Sequence, residues 1–123
     1  MEWFRQGRDL ILGTHWIAEV VPIQSGFLMD AARVRRFLEV LPETLGLTVV
    51  SEATVQQAED GSIRGVVLLA ESHASAHTDP DGGMLFVDLF SCKPFDAVRA
   101  RAVVDDLWPN SRVSEQLLER GRP

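Results

Sequence analysis

Apolar residues recur along this chain in two rhythms, and the switches between them mark its elements. Thr14 to Ile23, with His15, Trp16, Ile17, Val20 and Val21, reads as a first strand stopped by Pro22 and the Ser25-Gly26 turn signal. From about Leu28 to Leu41 or slightly beyond, the period lengthens. Val34, Phe37, Leu38, Leu41 and Leu45 fall at helical spacing, with Arg33, Arg35, Arg36 and Glu39 on the other, solvated side. Pro42 ends or kinks this helix and Gly46 closes the segment. Leu47 to Gln56, rich in Thr and Val, predicts a second strand. Glu59-Asp60-Gly61-Ser62 then turns the chain into a third, Ile63 to Ala70. Met84 to Ser91 predicts a fourth strand, and Pro94 to Leu107 a second helix ending near Trp108-Pro109. Residues 1–12 read as a short helix or arm, and the charged tail after Asn110 as loose or marginally helical.

The resulting order, β-α-β-β-β-α with an internal hairpin, predicts an α+β fold: a two-layer sandwich of one mostly antiparallel sheet backed by two helices. Strands three and four are apolar on both sides. Strand three sets Arg64, Val66, Leu68 and Ala70 against Ile63, Val67 and Leu69, and strand four sets Met84, Phe86 and Phe90 against Leu85, Val87 and Leu89. A sheet with one solvated face alternates instead, so both faces are expected to be covered. Two helices suffice for one face, and a partner's sheet is the expected cover for the other.

Composition narrows the class without naming a function. At 123 residues the chain is a single domain, residues 1–123, with ordinary apolar and charged contents of 46% and 24%. The formal net charge of −6 argues against a nucleic-acid surface. No stretch approaches a membrane span, and Met1-Glu2-Trp3-Phe4-Arg5 lacks a signal peptide's layout. One cysteine cannot form an intramolecular disulfide, so a cytoplasmic location is expected.

The candidate chemistry lies where the third apolar run ends. Glu71-Ser72-His73-Ala74-Ser75-Ala76-His77-Thr78 holds a carboxylate, hydroxyls and two of the three histidines, and the only cysteine, Cys92, closes the fourth strand. A hydroxyl, an imidazole and a thiol at two strand ends make a nucleophile, base and acid set. The alternatives are a hydrogen-bonding turn for Ser72 and a small buried hydrophobe for Cys92. A metal reading through His73, His77, His15 and Cys92 is weak. Residues four apart on a strand lie well over ten ångström from each other, at roughly 3.3 Å per residue, and no zinc-ligand spacing is present.

Glu71-Ser72-His73, His77-Thr78, Val87-Asp88-Leu89-Phe90-Ser91-Cys92 and Gly13-Thr14-His15 resemble the prokaryotic S-adenosylmethionine decarboxylase family over roughly Gly13 to Leu107. Members of that family make their own pyruvoyl cofactor and use neither metal nor PLP. The resemblance implies that the Ser72 hydroxyl attacks the Glu71 carbonyl, turning the amide into an ester. His77 then removes the Ser72 α-proton, leaving a chain 1–71 and a chain 72–123 that begins with a pyruvoyl group. It further implies a Schiff base between that group and the substrate amine, with Cys92 protonating the product carbanion. The family's two-layer units pair sheets into a four-layer α/β/β/α dimer, so a homodimer of cleaved protomers is expected, serving spermidine synthesis. The competing class is a non-catalytic dimeric binding module on the same fold.

The substrate side departs from the family pattern. Gln57-Ala58-Glu59 and Asp79-Pro80-Asp81 stand where aromatic residues suited to stacking on adenine are expected, though Trp16 or Phe95 could substitute. Arg64 replaces a small hydroxyl residue eight positions before Ser72 and, by strand parity, is expected on the face of Ser72. Asp79 and Asp81 would suit a guanidinium or ammonium, as in pyruvoyl-dependent arginine or ornithine decarboxylases on this fold, or simply form a solvated turn. S-adenosylmethionine is the first substrate expectation and a basic amino acid the second.

Overall fold

The structure, a computed structural model, describes residues 12–121; the arm expected at residues 1–12 falls almost wholly outside them. The described residues form one six-stranded sheet in the order β2-β3-β4-β5-β1-β6. Its strands are β1 (Gly13–Val21), β2 (Thr54–Gln57), β3 (Ile63–Leu69), β4 (Ser72–Asp79), β5 (Met84–Ser91) and β6 (Arg112–Arg120). Every pairing is antiparallel. The helices are α1 (Ser25–Leu28), α2 (Ala31–Thr44) and α3 (Ala97–Leu107). The α+β expectation therefore holds, with two more strands than the hydrophobic pattern predicts.

Strand β4 is one of the additions. Its covered positions are Ala74, Ala76 and Thr78, which alternate with His73, Ser75 and His77. The period is that of a strand, but alanine and threonine give too weak an apolar signal to separate it from a polar loop. Thr78 is fully buried and satisfies its hydroxyl by accepting from the Ile63 N–H at 2.8 Å. Strand β6 replaces the expected loose tail. Glu115 on β6 accepts from the Trp16 indole N–H at 2.9 Å and from Arg101 of α3 at 3.0 Å, tying this edge to both layers. The consecutive Leu117 and Leu118 break the alternation that would have revealed the strand.

The second strand is shorter than expected, because within 47–53 only an isolated bridge, Val49 to Leu69, joins the sheet. Helix α2 starts later than Leu28 because Asp30 caps it, accepting from the Arg33 N–H at 3.1 Å. It runs through Pro42 to Thr44, and the proline is buried in its last turn. Asp96 caps α3 in the same way, through the Val98 N–H at 2.9 Å, so that helix begins at Ala97 and not at Pro94.

Helices α2 and α3 cover one face of the sheet. Beneath them lie Trp16, Ala18, Val20, Ile63, Val67, Leu69, Ala74, Ala76, Leu85, Val87 and Leu89, all buried. Phe37 of α2 meets Trp108 edge to face, with centroids 5.2 Å apart. The arginines expected to be merely solvated tie the helical layer down. Arg33 stacks on Phe27 at 4.6 Å and donates to the Leu107 carbonyl, and Arg35 donates to the Ala53 carbonyl at 2.8 Å.

Among the described residues, no helix lies on the other face. Cross-strand rows run Leu118-His15-Phe90-His73-Leu68, Gln116-Ile17-Asp88-Ser75-Val66 and Ser114-Glu19-Phe86-His77-Arg64. Val66, Leu68 and Leu118 are 39%, 54% and 43% exposed. Among the described residues, the doubly apolar strands are thus covered by helices on one side and bare on the other.

Candidate active site

Strand β3 turns into β4 through only two residues, Ala70 and Glu71, with Leu69 facing Ser72 across the ladder. Two-residue hairpins favour turns with positive φ at one or both central positions, which match the twist of the strands. Here neither Ala70 nor Glu71 has positive φ; the left-handed value falls on the next residue, Ser72, at 156°. A serine in that region is strained, and such strain persists only where the surroundings hold it. The surroundings are specific. The Ala70 N–H donates to the Thr48 carbonyl at 2.8 Å, and the Thr48 N–H donates to Glu71 Oε1 at 2.9 Å. The carbonyl of Glu71, which belongs to the Glu71-Ser72 peptide, accepts from the Cys92 N–H at 3.1 Å.

Cys92 is carried there by β5. Ser72 faces Ser91, the last residue of that strand, and Cys92 follows half-buried. Ser91 is buried; it donates to the Lys93 carbonyl at 2.8 Å and accepts from the Lys93 N–H at 3.0 Å, fixing the backbone turn that aims the Cys92 N–H. On the far side, Gly13 of β1 lies so close that a Cβ there would sit 2.6 Å from the Ser91 carbonyl oxygen. Ser72 Oγ is 3.0 Å from Nδ1 of His73. The His73 ring in turn rests near Phe90, with centroids 6.1 Å apart.

The structure therefore brings Glu71, Ser72 and Cys92 together, with His73 as an addition that the sequence suggested only as a weak metal ligand. The chemistry of this set suits a pyruvoyl group derived from Ser72: a hydroxyl beside an imidazole, a peptide carbonyl already polarised by an N–H, and a thiol-bearing residue next to both.

His77 is not part of this cluster. It lies five residues along β4 from Ser72, about 16 Å at roughly 3.3 Å per residue, and on the bare face. It stands opposite Arg64 and meets the Phe86 ring edge at 6.2 Å. The parity argument for Arg64 fails for a physical reason. The two-residue turn pairs Ser72 with Leu69, so Ser72 inherits the face of the odd-numbered β3 residues, while Arg64 faces the other way with His77. Asp79 and Asp81 join Asp60, Arg64, His77 and Phe86 around a cavity of about 320 Å³ at the end of the sheet remote from Ser72. Asp60 is held below the ordinary aspartate range, first by the Ser62 hydroxyl at 2.7 Å and then by the Ser62 N–H at 2.9 Å.

Two further histidine features lie on the bare face. His15 Nε2 is 3.0 Å from Asp88 Oδ1, and the His15 ring meets Phe90 edge-on at 6.1 Å. Among the described residues, no group of three or more His, Cys, Asp or Glu side chains could hold a metal ion. No helix among them is long and apolar enough to cross a membrane.

Comparison with known proteins agrees with this architecture. The solved adenosylmethionine decarboxylase of Aquifex aeolicus VF5 superposes with a TM-score of 0.79 at 31% identity, covering 94% of this chain and 93% of that one. The S-adenosylmethionine decarboxylase proenzyme of Aquifex aeolicus is 34% identical over 111 residues, which span 89% of this chain and 82% of the relative. The corresponding proenzyme of Thermoplasma acidophilum is 36% identical over 112 residues, 89% of this chain and 84% of its own length. Residues 14–121 match the family described as S-adenosylmethionine decarboxylase, and the chain belongs to that family.

Proposed function

We propose that this chain is a self-processing decarboxylase that cuts its own Glu71-Ser72 bond and acts on S-adenosylmethionine. One observation carries the first half of this reading: the peptide carbonyl that must be attacked accepts an N–H from Cys92 and adjoins a serine with left-handed φ. Both features favour leaving the planar amide, since the strain is relieved by scission and the N–H stabilises negative charge on the oxygen. The proenzyme names of the relatives support it independently.

A pyruvoyl group formed from Ser72 would supply a ketone that condenses with the substrate amine and draws electrons from the departing carboxylate. This chain's own residues then bind, orient and protonate. Cys92, adjoining Ser72 across the ladder, is the proton donor to the substrate Cα. Asp79 and Asp81 supply negative charge to the remote cavity, which suits the cationic sulfonium of S-adenosylmethionine.

The second part of the proposal concerns His77. In one copy it lies too far from Ser72 to take the α-proton. Among the described residues, the bare face is antiparallel, carries no helix and is studded with Leu68, Val66 and Leu118, a surface that monomeric proteins seldom leave uncovered. Two copies stacked through it by a twofold axis lying across the strands would set the His77 end of one over the Ser72 end of the other. His77 then acts on its partner's Ser72, and each site combines Ser72 and Cys92 of one copy with the acidic cavity of the other.

A basic amino acid is the second substrate reading. It is favoured by the three aspartates and single aromatic residue of that cavity. Loss of a stacking face costs an adenine about 1–3 kcal/mol, or one to two powers of ten in affinity.

The test has two stages. Intact-mass measurement on purified protein should find fragments 1–71 and 72–123, and a stable full-length chain after prolonged incubation refutes self-processing. Carbon dioxide release from carboxyl-labelled S-adenosylmethionine, arginine and ornithine, assayed side by side, then assigns the substrate. Turnover of arginine or ornithine with none of S-adenosylmethionine overturns the first choice.

A further inference from the structure

Maturation by the route above opens with loss of the Ser72 hydroxyl proton, a step earlier than the α-proton abstraction given to His77. We propose that His73 is the base for that step and that the Cys92 N–H holds the oxyanion it creates, an assignment that rests on the self-processing reading. Neighbouring side chains on a strand normally point to opposite faces. Ser72 Oγ and His73 Nδ1 are nevertheless 3.0 Å apart, and the left-handed φ of Ser72 is the torsion about the N–Cα bond next to the Glu71-Ser72 peptide.

With its own proton on Nε2, the His73 ring accepts from Oγ through Nδ1. As the Oγ–C bond to Glu71 forms, the hydroxyl proton passes to Nδ1 and the carbonyl oxygen becomes an oxyanion facing the Cys92 N–H at 3.1 Å. Collapse of the tetrahedral centre breaks the C–N bond, and the proton on the imidazolium moves to the departing Ser72 nitrogen. The imidazole ends neutral, one amide has become one ester, and no outside reagent is consumed. Phe90 backs the His73 ring, limiting how far it can swing from Oγ. His77 cannot substitute within its own chain at about 16 Å, five strand residues away.

The experiment follows cleavage by intact mass in the full chain, with hydroxylamine added to cut any accumulated ester. His73→Ala and His73→Gln are expected to slow cleavage by about 100-fold or more, the usual scale of a lost general base. Neither should accumulate a hydroxylamine-sensitive bond. His77→Ala should accumulate one, because its block comes after the ester has formed. Imidazole added to His73→Ala should restore part of the rate, which also shows that the variant is folded. Cleavage of either His73 variant at the parental rate, ester accumulation in either, or a slow His73→Ala that imidazole does not restore, overturns the assignment. A parental chain that stays whole removes the self-processing reading itself. A His73→Ala variant that cleaves normally removes only the role given to His73.

Discussion

Gly13→Ala tests how tightly the site is built without touching any reacting group. An added Cβ would lie 2.6 Å from the Ser91 carbonyl oxygen and 2.8 Å from Cε1 of Phe90. An ordinary contact needs roughly 3.4 Å or more between such atoms, so the strands must part by several tenths of an ångström. Phe90 can turn its ring, but the Ser91 oxygen belongs to the backbone and can yield only if β5 moves against β1. Overpacking of this kind costs about 1–3 kcal/mol. At roughly 4 °C per kcal/mol for a domain of this size, the melting temperature should fall by about 4–12 °C. The displaced residue is the one before Cys92, so the Cys92 N–H should also move off the Glu71 carbonyl, which it meets at 3.1 Å. Cleavage measured at 20 °C, well below the new midpoint, should therefore slow by tenfold or more, the low end for loss of an oxyanion donor being about 100-fold. A Gly13→Ala variant with unchanged melting temperature and unchanged cleavage rate would refute the claim that the approach of β1 sets the geometry of the site.

Cys92→Ala keeps its backbone N–H, so the chain should still cleave while decarboxylation falls by two or more powers of ten; parental turnover in the carbon dioxide assay would assign the proton to another group. Leu68→Lys combined with Val66→Lys sets cations on the bare face; sedimentation should find this variant monomeric and the parent, under the stacking proposed above, dimeric. Cleavage should slow in that variant and recover when it is mixed with a Ser72→Ala chain that retains the parental face only if one intact face suffices. The Asp60 carboxyl titrates lower in the folded chain than in the unfolded one. Its bonds to Ser62 therefore stabilise the fold above the ordinary aspartate range, and that stabilisation is lost as pH falls through the folded value. Asp60→Ala should lower stability at pH 7 in denaturant titrations, and the gap to the parent should narrow toward pH 3.

The parts of this protein that can be read from sequence are those where burial is bought with large side chains. β1, β3, β5 and the core face of α2 show themselves because Trp16, Ile63, Val67, Leu85, Phe37 and Leu41 must leave water. Strand β4 hides because its covered side is alanine and threonine, small enough to lie under α2. The site hides for a related reason. Glu71, Ser72 and Cys92 can be singled out by residue type and spacing, but the two-residue turn that decides which face each side chain takes leaves no periodic trace. Reading parity straight through that turn misplaces Arg64. No pattern of residue types announces that adjacent Ser72 and His73 meet, because the contact depends on one unusual backbone angle.

The strand order has a consequence for the chain if it is cut as proposed. Residues 1–71 contribute β1, β2 and β3, and residues 72–123 contribute β4, β5 and β6, yet β1 lies between β5 and β6 in the sheet. The two fragments would be interleaved, not side by side. Neither can depart without tearing out ladder bonds on both flanks of β1, so the severed protein should hold together with no covalent link. Once unfolded, however, two separate polypeptides would have to find each other and re-thread that middle strand, a concentration-dependent process in place of a unimolecular one. The uncut form should refold after denaturation, whereas the cut form would owe its lifetime to the slowness of unfolding.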